Sequence, residues 1–247
     1  MCGVIGYEKV GVTDADLDLV RNLFRQTMIR GKHATGVTYF NGEELVTIKE
    51  PIPADEFIKK HDPADWIYSH DMHSKPSLSF IGHIRYSTSD LRYNQPFQGE
   101  YENSDFRGQI AIAHNGVISQ EAVESWEYKT ETANDSEMIL RCFESGEHPL
   151  EKFADRSMAV TYIQTLPRNG TNAPFAMLFG FRNHERPLYY TEGKELIFAS
   201  TSDILVRSGV KTEITRTDPF VEYTKGGLSR RWHPMHLGTT MPQDLQP

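Results

Sequence analysis

A cysteine at the second position is the first feature of this sequence that could carry chemistry. Removal of Met1 would leave Cys2 as the amino-terminal residue, with a thiol and a free α-amine on one residue. Free α-amines titrate near pH ~8 and thiols near ~8.5, so the amine could act, directly or through a water, as the base that activates the thiol. Taken alone, Cys2 is more readily interpreted as a small apolar residue that opens a strand over residues 2–7.

Two further strand-like segments end on polar residues of the kind that bind or polarise an amide. The segment 78–86 changes abruptly from apolar to charged and hydroxyl residues near Arg85. The segment 109–114 is followed by Asn115 and Gly116, a pair suited to a sharp turn. Both features have structural interpretations, because an arginine at a strand end is usually solvated and an Asn-Gly pair usually forms a hairpin turn. A catalytic interpretation depends on their occurrence together with the amino-terminal thiol.

A predicted helix supplies one more polar group. The segment 131–137 opens this helix, with Asn134 as its cap and Glu137 completing a capping box. Asp135 lies between them, where an acidic residue is more often a cap than a ligand. Cys142 falls on the apolar stripe of the same helix, so we expect it to be buried and structural.

The other elements are inferred from hydrophobic periodicity and turn residues. Apolar residues at three- and four-residue steps predict a helix that runs to about Met28, with Thr13 or Asp14 as its cap. Strands and helices in this mixed order indicate an α+β protein. The remaining expected elements are a hairpin with strands at 35–40 and 44–48, strands at 159–164, 176–181, 188–191 and 196–200, a short helix at 203–207, and a hairpin with strands at 220–224 and 228–232.

Composition restricts the class of protein and of partner. A chain of 247 residues with 38% hydrophobic and 24% charged residues can bury one sizeable core, and we expect one domain. The formal charge of -8 argues against nucleic acid and anionic membranes as partners, since both favour clustered basic residues. The sequence has neither an apolar run near ~18 residues nor a secretory signal, so we expect a cytoplasmic protein. Two cysteines suggest neither a disulfide framework nor a cysteine zinc site.

Residues 51–76 differ in composition from the rest of the chain. Pro, Asp, His and Lys are frequent there, and one or two short helices are expected near 57–58 and 66–68. The histidines of this region match no metal-ligand spacing, so we expect surface histidines and no metal site. The residues concerned are His61, His70, Asp71 and His73.

Five segments, taken in order, resemble the glutaminase domain of the class II glutamine amidotransferases, the family that includes amidophosphoribosyltransferase and glucosamine 6-phosphate synthase. Their order is the specific part of the likeness, which extends from residue 2 to about residue 207. Segments 94–97 and 196–200 also resemble parts of this domain. The five segments are Met1-Cys2-Gly3-Val4-Ile5-Gly6, Arg30-Gly31 followed by Thr35-Gly36, Gly82-His83-Ile84-Arg85-Tyr86-Ser87-Thr88, Ala113-His114-Asn115-Gly116, and Asn134-Asp135-Ser136-Glu137.

The resemblance implies the amino-terminal-nucleophile (Ntn) hydrolase fold, an α+β, four-layer αββα sandwich of two antiparallel sheets. It also implies that residues 2–247 form a single glutaminase domain, in which residues 51–76 are an insert without a family counterpart. Two residues depart from the family pattern: His33 stands where Asp is common, and Asp90 stands where glycine is usual. Asp90 puts the conformation of its loop in question.

The resemblance also assigns roles, each with a physical reason. Cys2 would be the nucleophile, and Asn115 and Gly116 would form the oxyanion hole. Arg85 would bind the substrate α-carboxylate through its planar fork of donors, and Asp135 would bind the α-ammonium group. The other implied residues are Tyr86, Ser87 and Thr88 around the substrate, and Arg30 and His83, which with Tyr86 would hold the cysteine loop.

These roles imply hydrolysis of L-glutamine to glutamate and ammonia through a Cys2 thioester, without a metal or an organic cofactor. The chain has no length for a synthase domain, so the ammonia would pass to a separate acceptor synthase, and the oligomeric state is left open. Two alternatives to this function also stay open. One is a stand-alone hydrolase of γ-glutamyl amides or peptides, and the other is an inactive regulatory or binding subunit.

Overall fold

Two antiparallel β-sheets lie face to face at the centre of the molecule, a computed structural model that describes residues 2–69, 74–86, 91–102, 107–167 and 174–231. The strands are β1 (Gly3–Val10), β2 (Ala34–Phe40), β3 (Leu45–Glu50), β4 (Ser77–Arg85), β5 (Phe97–Glu102), β6 (Arg107–Val117), β7 (Ser157–Pro167), β8 (Pro174–Arg182), β9 (Tyr189–Glu192), β10 (Glu195–Ala199), β11 (Thr215–Arg216), β12 (Val221–Thr224) and β13 (Gly227–Arg231). The α-helices are α1 (Asp14–Thr27), α2 (Ala54–Lys60), α3 (Glu137–Glu144), α4 (Pro149–Lys152) and α5 (Ser202–Ser208).

The two sheets and the helices outside them form four layers. One sheet has the order β11-β9-β10-β1-β4-β2-β3, and the other has the order β13-β12-β8-β7-β6-β5. Val4 and Ile81 of the first sheet pack with Ala111 and Leu178 of the second to form the central core. Helices α1, α2 and α5 cover the outer face of the first sheet, whereas α3 and α4 cover that of the second. The predicted αββα sandwich is therefore confirmed.

The register of the central strands places the amino terminus beside the end of β4. Strand β1 lies between β10 and β4, and Gly3 pairs with Ile84. Because the pairing is antiparallel, one further step sets Cys2 beside Arg85. Two segments that are 83 positions apart in sequence thus meet at one edge of the sandwich.

One helix start is as predicted, and the other differs. Thr13 caps α1, and Asp16 completes a capping box with it. The expected capping box at Asn134 is wrong, because α3 begins only at Glu137. The carboxylate of Glu137 instead accepts hydrogen bonds from the backbone of Glu131 and Thr132, each at 2.8 Å, so it orders the chain before the helix.

The second sheet also departs from expectation at two places. Asn115 and Gly116 do not form a turn, because β6 continues through them to Val117 and stays paired with β7. The segment 97–102, where no strand is predicted from the sequence, is the edge strand β5. Its alternating exposure is that of an edge strand with one buried face.

Residues of the 51–76 region contribute to the outer core of the first sheet. Phe57 of α2 stacks on Phe24 of α1, and Trp66 of a short 3-10 turn meets the same ring edge to face. His61 lies 2.6 Å from a carboxylate oxygen of Glu50, whereas the other three residues weighed as metal ligands lie outside the described residues. Among the described helices, none is long and apolar enough to cross a membrane.

Candidate active site

A cavity of about 770 Å³ opens at the edge of the sandwich where β1, β4 and β6 meet. Four of the predicted site residues with direct roles line it together: Cys2, Arg85, Asn115 and Asp135. Gly116 lines it as well, so the described residues to which the resemblance assigns chemistry converge on one space. The other lining residues are His83, Tyr93, Gln95, His114, Val117, Ser119, Gln120, Glu121, Ala122, Val123, Trp126, Ala133, Asn134, Ser136 and Arg186.

Cys2 is held at the cavity through its backbone. The Nε of Arg30 donates a hydrogen bond of 3.2 Å to the Cys2 carbonyl oxygen. Arg30 belongs to the turn after α1, and the next residue, Gly31, lies against the backbone of Arg85. A Cβ on Gly31 would lie only 2.4 Å from the Arg85 carbonyl carbon, so a glycine is required for this close approach.

Arg85 is positioned by a buried asparagine. One of its terminal nitrogens, Nη1, donates to Oδ1 of Asn94 at 3.2 Å, and Asn94 itself is buried. Burial lowers the pKa of Arg85, and the nearby Cys2 partly offsets this effect. A guanidinium that is half removed from water and held in one orientation is suited to bind a carboxylate.

Asn115 presents a buried donor that lacks a partner. The residue is only 4% exposed, and its Nδ2 makes no hydrogen bond to any described residue. Buried amide nitrogens are almost always paired, so such a group is a candidate for binding an oxygen that develops charge. The physical reason for the neighbouring glycine is different from the expected tight turn. A Cβ on Gly116 would lie 1.9 Å from the Ser157 carbonyl oxygen of β7.

Asp135 is anchored through one of its two carboxylate oxygens. Oδ2 accepts backbone hydrogen bonds from Ile118 at 2.6 Å and from Ser119 at 3.1 Å. Its other oxygen, Oδ1, makes no hydrogen bond within the described part of the chain. The carboxylate is thus fixed beside the end of β6 and keeps one oxygen for a ligand.

A buried ring of hydrogen bonds through Gln95 joins His114, which precedes Asn115, to Ser136, which follows Asp135. His114 donates its backbone N–H to Oε1 of Gln95 at 2.6 Å, and Nε2 of Gln95 donates to Oγ of Ser136 at 3.0 Å. The Ser136 hydroxyl lies 2.8 Å from Nδ1 of His114, and the histidine's Nε2 lies 3.2 Å from the Ser157 carbonyl oxygen. Because a carbonyl only accepts, Nε2 carries the proton and Ser136 donates to Nδ1. This ring fixes the segments of Asn115 and Asp135 relative to each other.

Two buried histidines at the cavity are neutral in the folded chain. Burial lowers the pKa of His83 to about 3, with the charge of Arg85 adding to the effect. Burial likewise lowers the pKa of His114 to about 4, although Asp135 opposes the change. The ring of His83 also forms a hydrogen bond with the backbone of His114, while its Nε2 has no partner among the described residues.

These depressed pKa values predict acid sensitivity. Unfolded histidines take up a proton near pH ~6.5, whereas these two stay neutral to much lower pH, so stability is lost as pH falls below ~6.5. We expect the melting temperature to fall by several degrees between pH 7 and pH 5, above the range in which most carboxylates titrate. His83→Gln should reduce this slope, and His184→Gln, at an exposed position, should not. A melting temperature that is constant from pH 7 to pH 5 would contradict the neutral assignment.

No protein-family model and no curated protein matches the chain, but solved structures do. Glutamine phosphoribosylpyrophosphate amidotransferase from B. subtilis, in complex with ADP and GMP, matches with a TM-score of 0.63 and 18% identity, over 92% of this chain and 48% of that one. The chain has the Ntn-hydrolase fold. A structure of the allosteric regulatory enzyme of purine biosynthesis matches with a TM-score of 0.59, at 18% identity and the same coverage. The chain spans about half the length of these two proteins.

Of the three residues expected around the substrate next to Arg85, only Tyr86 lies among the described residues. Tyr86 is 61% exposed, its ring lies 5.3 Å from that of His33, and it does not line the cavity. Ser87 and Thr88 lie outside the described residues, as does Asp90, which departs from the family pattern.

Sequence reasoning missed other residues at the cavity. Three of them lie inside the segments that resemble the family, which predict that these positions are near the site but do not predict their contacts. They are Gln95, His114 and Ser136. Arg186 belongs to no such segment, and nothing in the sequence pattern indicated it.

Proposed function

We propose that the chain is a glutaminase of the class II amidotransferase type, which hydrolyses L-glutamine to glutamate and ammonia. The observation that carries this proposal is the convergence of Cys2, Arg85, Asn115 and Asp135 on one cavity. These side chains match, in chemistry, the parts of a zwitterionic amino acid amide: a nucleophile and an oxyanion donor for the amide, and opposite charges for the head.

The reaction begins once Met1 is removed. The α-amine of Cys2 takes the thiol proton, and the thiolate attacks the carboxamide carbon of glutamine. The amide oxygen becomes negative and receives hydrogen bonds from Nδ2 of Asn115 and the backbone N–H of Gly116. The carbon–nitrogen bond then breaks, the amine returns its proton to the leaving group, and ammonia departs. A water attacks the remaining thioester and gives its proton to the amine, and cleavage of the carbon–sulfur bond releases glutamate and restores the thiol.

The head of the substrate determines which amides enter. Arg85 binds the α-carboxylate and Asp135 binds the α-ammonium, so that only a free amino acid, unblocked at both groups, satisfies both charges. The fixed separation of these residues from Cys2 then selects the length of the side chain between head and amide. The side chain of glutamine is one methylene longer than that of asparagine. We propose that the longer side chain is the one that places its carboxamide at Cys2.

Purified protein incubated with L-glutamine tests this function. We expect equal amounts of glutamate and ammonia to form, and L-asparagine and D-glutamine to be much poorer substrates. Failure to release ammonia from glutamine, by protein shown to lack Met1, would favour an inactive binding subunit.

Replacement of Arg85 by lysine should weaken the capture of substrate. A lysine keeps the charge but loses the bidentate geometry and the hydrogen bond to Asn94. Loss of one charge-assisted hydrogen bond costs about 1.5–3 kcal/mol, so we expect KM for glutamine to rise about 10- to 100-fold with a smaller change in kcat. Arg207→Lys, at an exposed position of α5, is the matched control and should leave KM unchanged. An unchanged KM in Arg85→Lys would contradict the carboxylate role.

The fate of the ammonia is a separate part of the proposal. We assign it to an ammonia-accepting synthase encoded separately, as the resemblance to the glutaminase domains of amidotransferases suggests. Co-purification of a synthase whose ammonia-dependent reaction becomes glutamine-dependent in the presence of this chain would support the assignment. Glutamine turnover with no such partner in a careful pull-down would count against it.

A second function is favoured by the size of the cavity. At about 770 Å³ it is larger than one amino acid fills, and it lies within the ~300–1,000 Å³ typical of sites for larger ligands. The same chemistry would hydrolyse γ-glutamyl amides or peptides, with an amine rather than ammonia as the leaving group. Values of kcat/KM for γ-glutamyl peptides far above that for glutamine would establish this second function.

A further inference from the structure

Arg186 is a cavity residue for which the reaction with glutamine has no use. It lies in the loop between β8 and β9, and its side chain is half-buried. Its Nε donates a hydrogen bond of 2.7 Å to Oγ of Ser157, which fixes the plane of the guanidinium group. In the described part of the chain, this is its one hydrogen bond, and no carboxylate lies within ion-pair distance of it.

The position of Arg186 is distinct from that of Arg85. Arg85 is tied to Asn94, before β5, whereas Arg186 is tied to Ser157, at the start of β7. The Ser157 carbonyl oxygen lies against Gly116, so Arg186 flanks the proposed oxyanion hole. The cavity therefore holds two oriented guanidinium groups at separate points along its wall.

The charges around Arg186 favour an anionic ligand. Among the described residues, the acidic ones that line the cavity are Asp135 and Glu121, and neither pairs with it. Arg186 also acts on a neighbouring cation, since its charge adds to burial in lowering the pKa of Arg30. A carboxylate bound at Arg186 would relieve this repulsion and would match the bidentate geometry of the guanidinium group.

We propose that Arg186 is a specificity-determining residue that binds a carboxylate on the leaving amine of a γ-glutamyl amide. The substrate class is thus a γ-glutamyl amino acid or peptide, with its α-carboxylate on Arg85 and its second carboxylate on Arg186. This inference rests on the second proposed function, the hydrolysis of γ-glutamyl amides or peptides. The bonds that break and form are the same as for glutamine. The amide carbon–nitrogen bond breaks, the amino acid leaves with the proton that the Cys2 amine returns, and water supplies the new carboxylate oxygen.

Binding of two nearly isosteric ligands tests this inference without requiring turnover. γ-L-Glutamylglycine carries the second carboxylate, and γ-L-glutamylglycinamide replaces it with a neutral amide. In the Cys2→Ala chain, calorimetry should give at least about tenfold tighter binding of the acid than of the amide, as expected for one charged hydrogen-bonded contact. The ratio should fall to about one when Arg186→Gln is added and should be retained with Arg207→Gln as the matched loss of charge.

The outcomes separate the two proposals. Equal binding of the acid and the amide by Cys2→Ala would overturn the role of Arg186 while leaving the glutamine head site intact. Persistence of the ratio in the folded Arg186→Gln chain would likewise overturn it. If neither ligand nor glutamine binds, the proposed function fails and the inference fails with it. Since the first comparison uses one protein and two ligands, it does not depend on whether Arg186→Gln folds.

Discussion

Cys2→Ala is expected to abolish glutamine hydrolysis. The substitution removes the atom that forms the thioester, and none of the other described residues that line the cavity carries a thiol. Loss of a covalent nucleophile in a cooperating site lowers kcat by about 10⁴-fold or more. Ammonia release from glutamine, followed with the processed chain and with Cys2→Ala at equal concentration, measures the effect.

Cys142→Ala is the matched control for that experiment. Cys142 is fully buried on α3, and burial raises the pKa of its thiol to about 12, so it is inert near neutral pH. Its replacement should reduce stability slightly through lost packing and should keep kcat within a few-fold. Activity that survives in Cys2→Ala, or disappears in Cys142→Ala at a temperature where that chain is folded, would contradict the assignment of the nucleophile.

Asn115→Ala is expected to lower kcat by about 10²- to 10³-fold, since loss of one oxyanion donor costs about 3–4 kcal/mol of barrier. The KM for glutamine should change little, because the donor acts on the charged oxygen of the transition state. Stability should be maintained, since Nδ2 makes no hydrogen bond to the described residues of the free protein and its removal breaks none. Steady-state kinetics and thermal melting of the same preparation measure all three quantities.

The combination of effects is what distinguishes this role from a structural one. If Asn115 were only a packing residue, its removal would lower the melting temperature and leave kcat per folded molecule unchanged. Asn115→Asp provides a second test, since it keeps the shape but places a negative charge beside the developing oxyanion. We expect that variant to be at least as impaired as the alanine.

Local patterns were sufficient to predict much of the fold. The hairpin of β2 and β3, the cap of α1 and the burial of Cys142 follow from periodicity and turn residues, and the structure has all three. The αββα arrangement came only from the resemblance, because nothing local specifies which strands pair. The meeting of Cys2 and Arg85 depends on such a pairing, between β1 and β4.

The errors arose where tertiary contacts override a local preference. Asn115 and Gly116 would form a turn by themselves, but pairing with β7 keeps them in a strand, and the Ser157 carbonyl explains the glycine. Glu137 has the spacing of a capping box, yet its carboxylate bonds to residues before the helix. Arg186 gave no signal, since a single arginine in a loop has no periodicity or motif from which its position could be inferred.

The most direct test of the central claim is the mass of the amino-terminal peptide after reaction with a glutamine analogue that carries a diazoketone in place of the carboxamide. The proposed mechanism predicts a peptide that begins at Cys2, lacks Met1 and carries one covalent adduct on the Cys2 sulfur, with labelling slowed by L-glutamine. An unlabelled amino terminus, a retained Met1 in active protein, or an adduct on Cys142 instead would contradict it.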